Sequence, residues 1–143
     1  MPDRIRQAAQ TWEALLRTQS HLMRRFEDAG DFDPLSAREY DVLFNLAERG
    51  GVLAMRELVA HALLSQPSMS RMVDRLAAKG LVERRPHPGD GRAVDVALTE
   101  AGARMQQTLG RRHVRTIAKE LAPLTDAELD ELTDLCRKLR RTN

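Results

Sequence analysis

Apolar or small residues recur at Ile5, Ala8, Ala9, Trp12, Leu15, Leu16, Leu22, Met23 and Phe26. This three-and-four spacing predicts one long amphipathic helix over residues 5–29, stopped by Gly30. Its stripe is longer than a small core covers, so it is expected to meet another subunit. Ser36 and Glu39 form a capping box for a second helix, with Leu35 and Tyr40 placed as its hydrophobic staple. That helix runs to about Glu48 and ends at Arg49-Gly50-Gly51; Val52-Leu53 reads as a short extended piece. A third helix, Met55 to about Ala62, turns Met55, Leu58, Val59 and Ala62 inward, and Leu63-Leu64-Ser65 follows as a tight turn.

Ser65 can cap a fourth helix with Pro67 in its first turn, where a missing N–H costs nothing. Met69, Met72, Val73, Leu76 and Ala77 make its apolar face, and Gly80 ends it. The other face carries Gln66, Ser68, Ser70, Arg71, Asp74, Arg75 and Lys79. The two helices and the turn between them make a helix-turn-helix, and the second exposes amides, hydroxyls and guanidiniums suited to base edges and phosphates. The period then changes to two. Residues 81–85 and 94–98 read as strands around the turn formers 86–91, Pro86 to Gly91, a hairpin wing directly after the recognition helix. Thr99 can cap a fifth helix to about Leu121, with Met105, Leu109, Val114, Ile117 and Leu121 on its apolar side. Pro123 breaks it. Thr125 and Glu128 form a second capping box for a last helix whose stripe is Leu129, Leu132, Leu135, Cys136 and Leu139.

The expected fold is mainly α with a small β-hairpin wing. A winged helix-turn-helix region over residues 35–98 lies between a long N-terminal dimerisation helix (1–34) and C-terminal dimerisation helices (99–143). The low aromatic content, 3% of 143 residues, fits helices packed through Leu-rich seams. The formal charge of +2 is small, but its distribution is uneven. Between Gln66 and Arg92 six Lys/Arg stand against three acidic residues, an excess that suits an anionic partner such as DNA.

Two linked runs carry a family resemblance. Ser65-Gln66-Pro67-Ser68-Met69-Ser70-Arg71-Met72-Val73-Asp74-Arg75-Leu76 leads into Lys79-Gly80-Leu81-Val82-Glu83-Arg84, and Asp90-Gly91-Arg92-Ala93-Val94 precedes Leu98-Thr99-Glu100-Ala101-Gly102. Together these resemble the recognition helix, wing and following helix of the MarR family, most strongly over residues 64–102. The resemblance implies a homodimeric transcriptional repressor with one winged helix on each half-site of a near-palindromic operator in double-stranded DNA. By position Gln66, Ser68, Ser70 and Arg71 would face the major groove, and Arg75 and Arg84 phosphates. Asp90 would order the wing, and Arg92 would approach the minor groove. Gly91 and His87 depart from residues common in relatives, a basic and an acidic one respectively. The resemblance also implies release by a small aromatic or anionic effector, for which Trp12, His21, Tyr40, Phe44 and His113 are candidate contacts.

Each of those aromatic residues has a plainer use as core filling. The four histidines share no metal-ligand spacing, and Cys136, the sole cysteine, sits on an apolar helix face where a thiol is inert. No cofactor or metal is expected. No phosphate loop, nucleophile elbow or metal-binding helix motif is present, which argues against an enzyme. A winged-helix protein-interaction module without DNA binding is the alternative, though it would not need the Gln66/Ser68/Ser70/Arg71 face or Arg92. No apolar run reaches the ~20 residues of a membrane span, and the polar N-terminus lacks the apolar core of a secretory signal, so a cytoplasmic location is expected.

Overall fold

Four helices begin where Ser36, Ser65, Thr99 and Thr125 predict, and the first begins at Pro2, three residues before its expected start. In a computed structural model describing residues 2–62 and 64–141, the order is α1 (Pro2–Asp28), α2 (Ala37–Glu48), β1 (Val52–Ala54), α3 (Met55–Ala60), α4 (Gln66–Ala78), β2 (Val82–His87), β3 (Asp90–Leu98), α5 (Glu100–Glu120) and α6 (Asp126–Arg140). Ser36 and Thr125 each accept the N–H three residues on, and Glu39 and Glu128 return the bond, completing both capping boxes. Leu63, expected in the turn between α3 and α4, lies outside the described residues.

Two glycines end helices by adopting the left-handed conformation that a side chain disfavours: Gly30 at φ 74° and Gly80 at φ 75°. After α4, Gly80 N–H donates to Ala77 O and Leu81 N–H to Leu76 O, which satisfies two terminal carbonyls. Leu76 and Leu81 are both buried there. Thr99 then links two elements, donating through Oγ1 to Gly80 O at 2.7 Å and accepting Gly102 N–H at 3.0 Å to start α5.

The three strands form an antiparallel sheet in the order β1-β3-β2, with Leu53 opposite Val96 and Val82 opposite Leu98. The core gathers Leu43 and Leu46 of α2, Leu58 of α3, Met69, Val73 and Leu76 of α4, Val96 of β3 and Leu109 of α5. The wing differs from the expected loop over 86–91. Strand pairing continues through Pro86 and His87 and resumes at Asp90, leaving Pro88-Gly89 as the turn. Pro86 is tolerated because β2 is an edge strand, where a missing N–H breaks no ladder on the open side. α3 ends at Ala60, two residues short of expectation.

The terminal helices are apolar on faces that the rest of the chain leaves uncovered. Ile5, Trp12, Leu15 and Leu16 of α1 are exposed, as are Leu132, Leu135 and Leu139 of α6, and no α6 residue is buried. Val114, expected on the inner side of α5, is also exposed, whereas Leu109 on the same helix is fully buried.

Candidate nucleic-acid interface

α4 buries Met69, Met72, Val73 and Leu76 and leaves Gln66, Arg71, Asp74 and Arg75 exposed. Its start is set by Ser65, whose Oγ accepts Ser68 N–H at 3.3 Å. Ser65 and Ser68 hydroxyls lie 3.1 Å apart, and Arg71 Nη2 donates to Ser68 Oγ at 3.2 Å. Ser68 and Ser70 are half-buried. The polar face predicted from spacing is therefore one continuous surface of the helix that follows the turn after α3.

Arg84 stands apart from the other arginines named for DNA. Its Nη2 donates from β2 to Ser70 O at 2.9 Å and Ser70 Oγ at 3.0 Å, and lies 2.9 Å from Asp74 Oδ1. It binds the wing to the recognition helix. Arg85 is likewise engaged, by Glu83 on its own strand. Arg71, Arg75 and Arg92 remain as exposed cations.

Near the wing tip the register shifts: Pro86 pairs with Val94, but His87 pairs with Asp90. Gly91, Arg92 and Ala93 consequently bulge from β3. Asp90 Oδ1 accepts Arg92 N–H at 3.0 Å, which fixes the bulge carrying the Arg92 side chain. At the base of the tip His87 Nδ1 lies 2.7 Å from Asp95 Oδ1.

A cleft of about 640 Å³ adjoins the recognition helix and is lined by Arg38, Ser68, Arg71 and Arg75, with Glu27 and Asp33 among its acidic residues. Sequence reading missed Arg38. It follows the capping Ser36 by two residues, and no local pattern brings the start of α2 beside α4.

A second cavity, of about 700 Å³, unites three of the five effector candidates, Tyr40, Phe44 and His113, with Phe32, Arg38 and Val114. Tyr40 and His113 rings are 5.8 Å apart and Phe32 stacks near both. Burial raises the Tyr40 hydroxyl above its ordinary value, so it stays protonated and can donate. His113 Nδ1 lies 2.8 Å from Oδ2 of the fully buried Asp31, whose Oδ1 accepts from Thr116 Oγ1 at 2.6 Å. Since a carboxylate accepts, the ring donates through Nδ1 and keeps Nε2 for another partner. Asp31 and Thr116 carried no signal in sequence. Trp12 and His21 do not line this cavity, and both are exposed on α1.

Among the described residues no helix is long and apolar enough to cross a membrane, and no group of three or more His, Cys, Asp and Glu could hold a metal ion. Cys136 is half-exposed on α6.

Comparison with known proteins agrees with this architecture. The family model described as MarR family matches residues 33–93, from the α1–α2 turn to the wing bulge. An uncharacterized HTH-type transcriptional regulator of Mycobacterium bovis is 36% identical over 115 residues, covering 78% of this chain and 77% of the relative. The multiple antibiotic resistance protein MarR of Salmonella typhimurium is 32% identical over 106 residues, 73% of each. A mutant MarR from E. coli, solved in complex with operator DNA, superposes with a TM-score of 0.76 at 26% identity, covering 89% of this chain and 91% of that one. The Mycobacterium relative is named as a transcriptional regulator, and none of the three is named as an enzyme. With its helix-turn-helix, its hairpin wing and these matches, the chain belongs to the MarR family of DNA-binding transcriptional regulators.

Proposed function

We propose that two copies of this chain form a homodimeric repressor that holds a near-palindromic operator and is released by a small aromatic or anionic effector. The observation that carries the reading is the uncovered apolar surface at both chain ends: Ile5, Trp12, Leu135 and Leu139 are 71%, 61%, 52% and 65% exposed. Monomers rarely leave such stripes in water, and a two-fold interface buries both at once. That symmetry sets two α4 helices for half-sites about one DNA turn, ~10 bp, apart. Gln66, Ser68, Ser70 and Arg71 then meet base edges, Arg75 and Arg38 the backbone, and Arg92, ordered by Asp90, the minor groove.

The cavity of Tyr40, Phe44 and His113 is of a size and character that suits a small aromatic effector. Trp12 and His21 join it only where a second copy brings its α1 alongside. Release requires that the effector bind one spacing of the α4 helices more tightly than the other.

Sedimentation equilibrium tests the dimer, run on wild type and on Leu132→Asp/Leu135→Asp with a selected operator duplex present and absent. Dimeric wild type, and a double variant that is monomeric or unfolded and at least tenfold weaker on the operator, is the expected result. A folded wild-type monomer at micromolar concentration, as tight on one half-site as on two, contradicts the proposal.

A further inference from the structure

Arg84 differs from Arg71, Arg75 and Arg92 in reaching from the wing to the recognition helix. Its Nη2 serves Ser70 O, Ser70 Oγ and Asp74 Oδ1, all within 3.0 Å. The Asp74 carboxylate offsets its charge at the place where a phosphate would need it.

The consequence falls on Ser70. A serine hydroxyl has one proton and two lone pairs and rotates to suit its surroundings. Here Oγ accepts from a guanidinium, a charge-assisted bond that fixes the oxygen and polarises the O–H. Among the described residues the Ser70 proton has no acceptor of its own. The same arrangement recurs two residues earlier on the helix, where Arg71 and Ser65 both donate to Ser68 Oγ.

We infer that Arg84 is a positioning residue that turns the Ser70 hydroxyl into a fixed donor, aimed at a base-edge acceptor such as guanine N7 or O6, adenine N7 or thymine O4, and that it is not itself a phosphate contact. The inference rests on α4 lying in the major groove, as proposed above. It makes sequence preference at one base position depend on a wing residue that touches no base.

The two roles of Arg84 differ in salt dependence, because each phosphate that a variant no longer neutralises makes the log–log slope shallower by about 0.9. Affinity is measured across a salt series for an operator selected from random duplexes and for a scrambled duplex, using wild type, Arg84→Gln, Ser70→Ala and the double variant. Gln removes the charge, and its shorter side chain does not carry an N–H from β2 to Ser70 as Nη2 does. Thermal melts establish that each variant is folded.

Arg84→Gln and Ser70→Ala should each weaken operator binding about 2- to 12-fold, as removal of one hydrogen bond does. Scrambled-duplex affinity and salt slope should stay at wild-type values, and the double variant should be no weaker than the worse single one. Retention of operator affinity by Arg84→Gln overturns the inference, as do additive losses or a fall in salt slope on both duplexes when Ser70 is intact. Failure of wild type to bind any selected duplex would instead reject the placement of α4 on DNA.

Discussion

Lys79 Nζ donates to Glu39 Oε2 at 3.1 Å while the other oxygen of that carboxylate, Oε1, accepts Ser36 N–H at 3.0 Å. One side chain thereby closes the start of α2 and pins the end of the recognition helix, so the orientation of α4 is tied to the helix that supports it. Burial alone would raise the Glu39 carboxyl above its ordinary 4.5. The bonds from Ser36 and Lys79 outweigh burial and hold it lower.

A carboxyl whose folded value lies below its unfolded one contributes stability that is fully present above the ordinary value and lost as pH falls through the folded one. Glu39→Gln keeps an oxygen for Ser36 but loses the charge. Because Lys79 is 45% exposed, the pair is partly screened and the variant should cost about 0.5–1 kcal/mol at pH 7. Urea unfolding at pH 7 and at pH values below 4.5 checks this. The gap should shrink on acidification, and a gap of constant size would rule out the ion pair as its source.

Asp31 is a buried carboxylate with two side-chain partners on α5, His113 and Thr116. Asp31→Ala leaves His113 Nδ1 without its partner and Thr116 Oγ1 with only Arg112 O, and should cost about 2–3 kcal/mol. Thr116→Val removes one bond and leaves the other, at about 1 kcal/mol. Chemical denaturation distinguishes them, and an Asp31→Ala loss below that of Thr116→Val would contradict the account of this cluster.

Helix starts and stops were legible in the sequence because their causes are local. Ser36 with Glu39, Thr125 with Glu128, Thr99, Gly30 and Gly80 each act within a few residues. The unmet apolar stripes of α1 and α6 were legible too, since spacing alone shows that a helix has more apolar face than a small core can cover. What escaped depends on distant partners. Asp31 carries no local signal, and its partner His113 on α5 is 82 residues away. Arg84 read as a phosphate contact from its place in the family pattern, and only its position beside Ser70 and Asp74 reveals the tie to α4. The extent of the wing was missed because Pro86 suggests a turn unless the strand is known to be an edge.

Gly102 occupies the first turn of α5 where no side chain fits: a Cβ there would stand 2.0 Å from Leu81 O and 2.8 Å from Leu98 Cδ1. The obstructing atom is backbone, so Gly102→Ala must push α5 away from the end of α4 and should cost at least about 1–3 kcal/mol. Gly91→Ala in the wing bulge meets nothing within 4 Å and should stay within ~0.5 kcal/mol of wild type. Thermal melts of the two variants should separate clearly, and equal melting temperatures would refute the close approach.

The central claim is that α4 and the wing bind duplex DNA, with Arg92 contributing through the backbone and minor groove. Titrating a selected operator and a scrambled duplex over a salt series, with wild type and Arg92→Ala, tests it most directly. Wild-type affinity should fall linearly in log–log form. Arg92→Ala should weaken both duplexes alike, with a slope shallower by about 0.9 for each phosphate it no longer neutralises. Binding that ignores salt, or no binding to any duplex under conditions where the protein is folded, would contradict the account.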